Sequence, residues 1–374
     1  MLLHIMYDEK IISRTISDFE TALPGGNKFI VILARNAKPK YVLDDESYII
    51  KTRYGNNEFW DAVGDVSSYD YIILHNLGSP SFRFVLKINH PRIVWSAWGV
   101  DLYGWYLIPR GYKIAYDENL MKACSKSSSF SFKDICNYLF KKYYNKKRIE
   151  VLKKIAYIST IDDEITLLKK YYPEAHHIEK KHFFNYAVDE IFSPEQLDNK
   201  NIGNSIMVGN SASLNGNHIE IFNILSKLEL NGREILCPLS YGNEKYRDFI
   251  VDKGKLLYGD LFVPITEFMP LALYIDTMQK ARTFIYGNYR QEAMGNIVMA
   301  LCWGGAVFMH PSNALLSHFK KMGCTVFSTY ELPDKLHYEL SEEEKKKNKD
   351  IILKYYNKER LINVIRERFG SNSY

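Results

Sequence analysis

This chain of 374 residues has little cysteine: five residues, an odd number, with no CxxC pair. They read as ordinary thiols of a cytosolic protein rather than a disulfide framework. It also lacks any apolar run near the ~20 residues that cross a bilayer. The apolar start, Met1 to Tyr7, ends at Asp8 and Glu9, too short for a signal peptide. No HExxH, GxSxG or phosphate-binding P-loop is present, and neither glycine turn completes GxGxxG. Hydrolase triads, ATPase chemistry and nicotinamide redox chemistry therefore have no support. No Asp-x-Asp occurs, and the acid clusters Asp44-Asp45-Glu46 and Asp162-Asp163-Glu164 sit in polar stretches without the post-strand setting of a Mg²⁺ site. The expectation is a soluble, intracellular protein with no metal and no cofactor.

What is present is an alternation of short apolar runs and helical patterns. Leu2–Met6, Lys28–Leu33, Tyr48–Ile50, Tyr71–Leu74 and Ile93–Ser96 read as strands of a parallel sheet covered by helices. The polar segment 190–204 reads as a domain boundary. A second alternation follows: strand Ile206–Val208, helix from about Asn217, strand Glu234–Leu239, helix Glu244–Lys253, strand Lys255–Tyr258, helix Glu267–Ala281, then strand Thr283–Tyr286. Hydrophobic content of 46% is ample for two cores. This predicts an α/β chain of two Rossmann-like domains: 1–190, 205–335, and a helical segment 336–374. Ligands are expected at the carboxyl ends of strands.

The most informative stretch is NYRQEAMGNIVMALCWGG, Asn288 to Gly305. Ala293, Ile297 and Leu301 recur at four-residue spacing, Gly304-Gly305 suits a left-handed cap, and Ala306–Met309 reads as the next strand. Gly295-Asn296 near the helix start lets an anion such as a pyrophosphate approach the free N–H groups. Arg290, Gln291 and Glu292 stand just before it. Gly209-Asn210-Ser211 makes a similar polar turn ahead of a helix at Asn217–His218, and Ser240-Tyr241-Gly242 follows another strand. In the first half, strands end on His75-Asn76 and on Trp98-Gly99-Val100-Asp101-Leu102-Tyr103. A carboxylate among aromatics suits a general base beside a sugar ring. Structural alternatives stand beside each: packing for the glycines, a helix N-cap for Asp101, a hydrogen-bonded rim for His75.

Charge is uneven along the chain. Between Lys122 and Lys154 ten Lys or Arg face two acids, Asp134 and Glu150, with aromatics interleaved. Lys141, Lys142, Tyr143, Tyr144, Lys146, Lys147 and Arg148 are candidates for an anionic membrane surface; a solvated helical insertion is the alternative. Glu342–Lys347, EEEKKK, reads as an exposed helical face.

Together, WGVDLY (98–103), MVGNSASLNGNH (207–218), PLSYG (238–242), EFMPLALY (267–274) and YRQEAMGNI (289–297) resemble glycosyltransferase family 56. That family includes the TDP-Fuc4NAc (4-acetamido-4,6-dideoxygalactose) transferase of enterobacterial common antigen synthesis. The match spans roughly Met1 to Asn313; the stretch from Phe130 to Arg148 and the last forty or so residues lie outside it. The resemblance implies a GT-B fold whose two domains face a central cleft, with a TDP-sugar donor on the second domain. It also implies a lipid-linked (undecaprenyl-pyrophosphate) or other glycan acceptor on the first, at the inner face of the cytoplasmic membrane. It further implies a metal-independent hexosyltransferase and a terminal helix returning to the first domain. On that reading Gly209, Asn210, Ser211, Asn217, Tyr241, Arg290, Gln291, Gly295 and Asn296 bind donor. Trp98 and Tyr103 bind acceptor, and Asp101, or His75 in its place, is the base. The rival readings are a sugar-nucleotide epimerase of the same architecture and a non-catalytic sugar- or nucleic-acid-binding protein.

Overall fold

The computed structural model describes residues 1–34, 36–125, 144, 147–183, 187–198 and 203–370. The chain divides into two compact units: 1–112, 131–187 and 358–374 in the first, 113–130 and 188–357 in the second.

The first unit is built on a seven-stranded parallel sheet, β1 Leu2–Tyr7, β2 Asn27–Ile32, β3 Ile49–Thr52, β4 Tyr71–His75, β5 Ile93–Ser96, β6 Tyr157–Ser159 and β7 Glu179–Lys180. Their order is β3-β2-β1-β4-β5-β6-β7. The central strands are apolar on both faces and fully buried, as a parallel sheet sandwiched by helices requires. The chain's last helix, Lys358–Phe369, belongs to this unit and buries Leu361, Ile362, Ile365 and Phe369 in its core. Each such side chain contributes about 1.5–3 kcal/mol by burial. Arg366 fastens the helix by donating to the carbonyls of Thr21 and Ala22.

The second unit repeats the plan with β8 Ser205–Val208, β9 Ile235–Pro238, β10 Phe262–Ile265, β11 Ala281–Tyr286, β12 Ala306–Met309 and β13 Phe327–Ser328. The order is β10-β9-β8-β11-β12-β13, all parallel. In both units the chain reverses direction across the sheet beside the first strand. That puts a switch-point crevice at the carboxyl ends of β1 and β4, and again at β8 and β11, where such sheets bind ligands.

One strand assignment from sequence is corrected. Lys255–Tyr258 is not a strand but the end of a helix, Glu244–Tyr258. Gly254 sits inside that helix because the Phe262 ring of β10 occupies the space a Cβ would need. The helix stops only at Gly259, with φ +55°. The strand falls seven residues later. The acidic-to-basic run is helical, capped by Ser341, whose side chain accepts from Glu344 N–H while Glu344 accepts from Ser341 N–H. It breaks at Tyr356–Asn357, so 342–369 is two helices divided between the two units.

Three buried histidines make stability depend on pH. Asn27 donates its amide hydrogens to Phe19 and Leu23 carbonyls, so its oxygen accepts from His4 Nε2–H at 3.2 Å. His4 Nδ1 then accepts from His75 Nε2–H at 3.1 Å. Burial lowers His4 well below the usual range, His75 to about 3 and, in the second unit, His218 to about 4. The folded state therefore refuses protons that the unfolded chain takes up below about 6.5. Asp101 acts oppositely: burial lifts it to about 6, so protonating it favours the fold as pH falls toward its ordinary value. Two depressed histidines outweigh one raised carboxyl in the first unit, and His218 is unopposed by these groups in the second. Urea unfolding followed by tryptophan fluorescence should give lower midpoints at pH 5 than at pH 7. Each histidine costs about 1.4 kcal/mol per pH unit below 6.5. Equal midpoints would refute the neutral-histidine arrangement.

Candidate functional site

At the carboxyl edge of the second sheet three backbone segments converge on Asn217. Its Nδ2 donates to the carbonyls of Gly287 (2.9 Å) and Ile114 (3.2 Å), and its Oδ1 accepts from Tyr116 N–H (2.8 Å). Asn217 itself takes the left-handed conformation, φ +50°, which asparagine tolerates, at the start of the helix His218–Leu225. Both amide hydrogens are spent on backbone carbonyls, so Asn217, expected from sequence to bind donor, fastens these segments together. Gly287 lies so close that a Cβ there would meet the carbonyl oxygen of Gly216 at 2.7 Å.

Gly209 is likewise needed for packing. It has φ +75°, and a Cβ would come within 2.4 Å of His218 Nε2, while one on Gly216 would strike the same ring. The imidazole is thus clasped by two glycines. His218 N–H donates to the Tyr246 hydroxyl, whose own hydrogen goes to His218 Nδ1 (3.2 Å), leaving the Nε2–H buried and unpartnered. Beyond Gly209, Asn210 and Ser211 are buried. Asn210 Nδ2 donates to the Tyr241 hydroxyl at 3.4 Å, and the Tyr241 ring is exposed. Burial of its hydroxyl end, together with the charge of Glu292, pushes the Tyr241 phenol upward.

The turn that follows β11 gathers Asn288, Arg290 and Glu292. The helix runs Met294–Cys302, started by Ala293 at φ +62° and ended by Gly304 at φ +80°, with no side chain capping its amino end. Ile297 N–H is the first to close inside it, on the Ala293 carbonyl, so the amides of Met294, Gly295 and Asn296 have no partner within the helix. Asn296 donates to the Tyr274 hydroxyl at 2.6 Å. Arg290 is not a free cation: its guanidinium pairs with Glu292 at 3.1 Å, and Glu292 also accepts from Asn288 at 3.1 Å. Arg290 Nε and Asn288 Oδ1 remain buried with no partner among the described residues. Gln291 is half-buried in the same turn. Unpaired buried polar atoms are costly, on the order of 1–3 kcal/mol each.

In the first unit the candidate acid–base residues Asp101 and His75 are both fully buried. Asp101 is fully buried and accepts four hydrogen bonds: from Leu77 N–H (2.6 Å), Trp95 Nε1–H (2.7 Å), Trp98 N–H (2.7 Å) and Leu102 N–H (2.9 Å). It ties the end of β4, where Asn76 is left-handed at φ +88°, to β5 and the helical turn that follows. No lone pair faces an incoming hydroxyl. His75 is also fully buried, in contact with His4, Phe19 and Phe183, and burial lowers it to about 3, so the ring takes no second proton near neutrality. Tyr103, expected to stack on a sugar, is buried in a π-helical stretch, Leu102–Leu107, against Tyr112. Trp98 is partly exposed.

The basic stretch is also revised. Tyr144 is buried between Phe82 and Trp105, bonded to Ser79, and Arg148 is buried near Tyr106 and Tyr172. Neither reaches a lipid headgroup. Lys147 pairs with Glu150, and Lys141, Lys142, Tyr143 and Lys146 lie outside the described residues. Among the described residues no helix is long and apolar enough to cross a membrane.

No family model and no curated protein matches the chain. Solved structures do match in fold. Sucrose-phosphate synthase from Thermosynechococcus elongatus aligns with a TM-score of 0.66 at 9% identity over 98% of each chain. HepE of Anabaena, in complex with UDP and glucose, gives 0.60 at 10% identity over 99% of each. WaaG, a glycosyltransferase of lipopolysaccharide biosynthesis, gives 0.53 at 12% identity over 99% of this chain and all of its own. With the two Rossmann-ordered sheets, these neighbours define the chain's class: the GT-B fold, as expected from the sequence.

Asp101→Asn should act on stability. It replaces one acceptor oxygen by an amide facing N–H donors, a loss of about 1–3 kcal/mol. A thermal melt unchanged from the parent would contradict the hub role. Gly209→Ala should destabilise the second unit through its clash with His218, and Gly209→Ala combined with His218→Ala should recover part of the loss. Failure of the double variant to recover would leave only the positive φ as the reason for glycine.

Proposed function

We propose that the protein is a glycosyltransferase that takes a sugar from a nucleoside-diphosphate donor held on the second unit. The observation that carries this is the uncapped start of the helix Met294–Cys302 beside the β8/β11 crevice, with Arg290 Nε and Asn288 Oδ1 buried and unpaired next to it. Free first-turn amides and the positive helix end suit a diphosphate. The GT-B neighbour described with UDP and glucose supports the same ligand class. Gly209, Asn210 and Ser211 form the opposite wall and Tyr241 the aromatic flank. Arg290 and Gln291 lie toward the donor, with Arg290 aimed by Glu292.

In the transfer, the bond between the anomeric carbon and the diphosphate oxygen breaks, and its electron pair leaves with the diphosphate. The acceptor hydroxyl oxygen bonds to that carbon and its proton passes to a base. The second unit's contribution is to stabilise the departing charge with fixed donors. Arg290, neutralised in part by Glu292, holds geometry more than net charge. The resemblance to family 56 favours a TDP-linked deoxyamino sugar such as Fuc4NAc. It also favours a lipid-linked acceptor, which would bring the chain to the inner face of the cytoplasmic membrane. The leaving group is met by amides and a guanidinium, so transfer proceeds without a divalent metal.

Gly295→Val should weaken TDP binding by about tenfold or more, because a branched side chain blocks backbone approach at the helix start. Arg290→Ala should lose a comparable amount through a charge-assisted contact. Titration calorimetry on folded variants checks both, and unchanged TDP affinity for Gly295→Val sinks the diphosphate assignment. Binding and transfer should be insensitive to EDTA; loss restored by Mg²⁺ or Mn²⁺ would show that a metal takes part.

A further inference from the structure

Next to the diphosphate crevice, the carboxyl ends of β11, β12 and β13 each contribute one ring to a polar cluster around Glu220. The Tyr289 hydroxyl donates to Glu220 Oε2 at 2.9 Å, and its ring stacks on His310 with centroids 3.8 Å apart and planes 22° apart. Ser312 N–H donates to His310 Nδ1 at 3.1 Å, which leaves the hydrogen of the neutral ring on Nε2. That Nε2 lies 3.3 Å from the Tyr330 hydroxyl and 3.6 Å from Glu220 Oε1, the second distance beyond hydrogen-bond reach. Oε1 therefore keeps acceptor capacity beside an N–H donor. The Tyr330 ring, 63% exposed, connects the cluster to solvent.

The sheet orders these groups in space. β11 and β12 pair with Tyr286 opposite Met309, and β12 pairs with β13 with Met309 opposite Ser328. Tyr289, His310 and Tyr330 thus stand in successive loops on one side of the crevice, while Tyr241 follows β9 on the other side. A ligand whose diphosphate lies over β8 and β11 extends one end toward Tyr241 and the other toward Glu220. A base is planar and apolar on its faces, and suits the exposed ring of Tyr241. A sugar offers adjacent donors and acceptors, and suits a carboxylate oxygen beside a hydroxyl.

We propose that Glu220, His310 and Tyr330 form the subsite for the sugar of the donor. Glu220 Oε1 accepts from a ring hydroxyl or an amide N–H, and the Tyr330 hydroxyl, which accepts from His310 Nε2–H, donates to a neighbouring hydroxyl or acetamido oxygen. This rests on the nucleotide-sugar reading above and adds to it the direction in which the donor lies. Tyr289 has a positioning role: its bond to Glu220 and its stack on His310 brace the turn that carries Arg290.

The test is calorimetric binding of TDP, TDP-glucose, UDP and UDP-N-acetylglucosamine to the full chain and to Glu220→Gln and Tyr330→Phe. Glutamine still accepts from Tyr289, so the brace survives. The subsite predicts that at least one sugar nucleotide loses about tenfold relative to its own diphosphate in Glu220→Gln, with diphosphate affinity held within about twofold. Tyr330→Phe should shift the same ratio in the same direction by a smaller factor. A merely structural role would weaken diphosphate and sugar nucleotide together, and that result overturns the subsite. Unchanged ratios in both variants overturn it as well, while leaving the diphosphate site standing. A wild-type chain that binds neither TDP nor UDP overturns the donor reading itself.

Discussion

The arrangement of the second unit depends on how closely three pieces of backbone approach at the carboxyl edge of its sheet. Asn217 bonds to the 114–116 segment and to the end of β11 with one amide group. Gly287 lets β11 approach the 216–217 turn, and Gly209 and Gly216 make room for the His218 ring. Remove that convergence and the loop after β8 and the turn after β11 no longer flank one crevice. Close-packed interiors permit little slack, so a single added methyl group at any of these glycines must displace backbone or a ring.

The first unit has its own hub, and it is electrostatic. Asp101 gathers four donors from the end of β4, from β5 and from the turn beyond it. The donors offset part of the penalty of burial, which still lifts the carboxyl to about 6. In the second unit His218 Nε2, Asn288 Oδ1 and Arg290 Nε are buried with no hydrogen-bond partner among the described residues, as are His75 Nδ1, Ser96 Oγ and Trp98 Nε1 in the first.

Some of this was legible in the residues. The strand-helix alternation, the turn at 209–211 and the helix after Arg290 with its glycine end followed from apolar period and glycine placement. Residues at the site were harder to read. Asp101 among aromatics looks like a base because sequence records neighbours in the chain, whereas its partner Leu77 arrives from the end of β4 and the Trp95 ring reaches it from within β5. Tyr144 and Arg148 sit in a basic aromatic run yet pack inward, since one buried face can be made of any residues whose polar ends find partners. Glu220, His310 and Tyr330 carry no motif at all. Their one signal was position: His310 and Tyr330 each follow closely on a strand, where such folds place ligands.

The sequence by itself determined the class of fold. Period-two and period-3.6 patterns are local properties, and a chain that alternates them this way has few solutions other than parallel sheets covered by helices. It also determined where backbone must take left-handed turns, because glycine and asparagine are the residues that tolerate them. Tertiary structure alone decided which polar side chains were used up and which were left open. Whether Asn217 fastens or binds, whether Asp101 reacts or holds, and which rings face Glu220 depend on groups dozens of residues away. Hydrogen-bond capacity is finite, and only the folded chain shows where it has been spent.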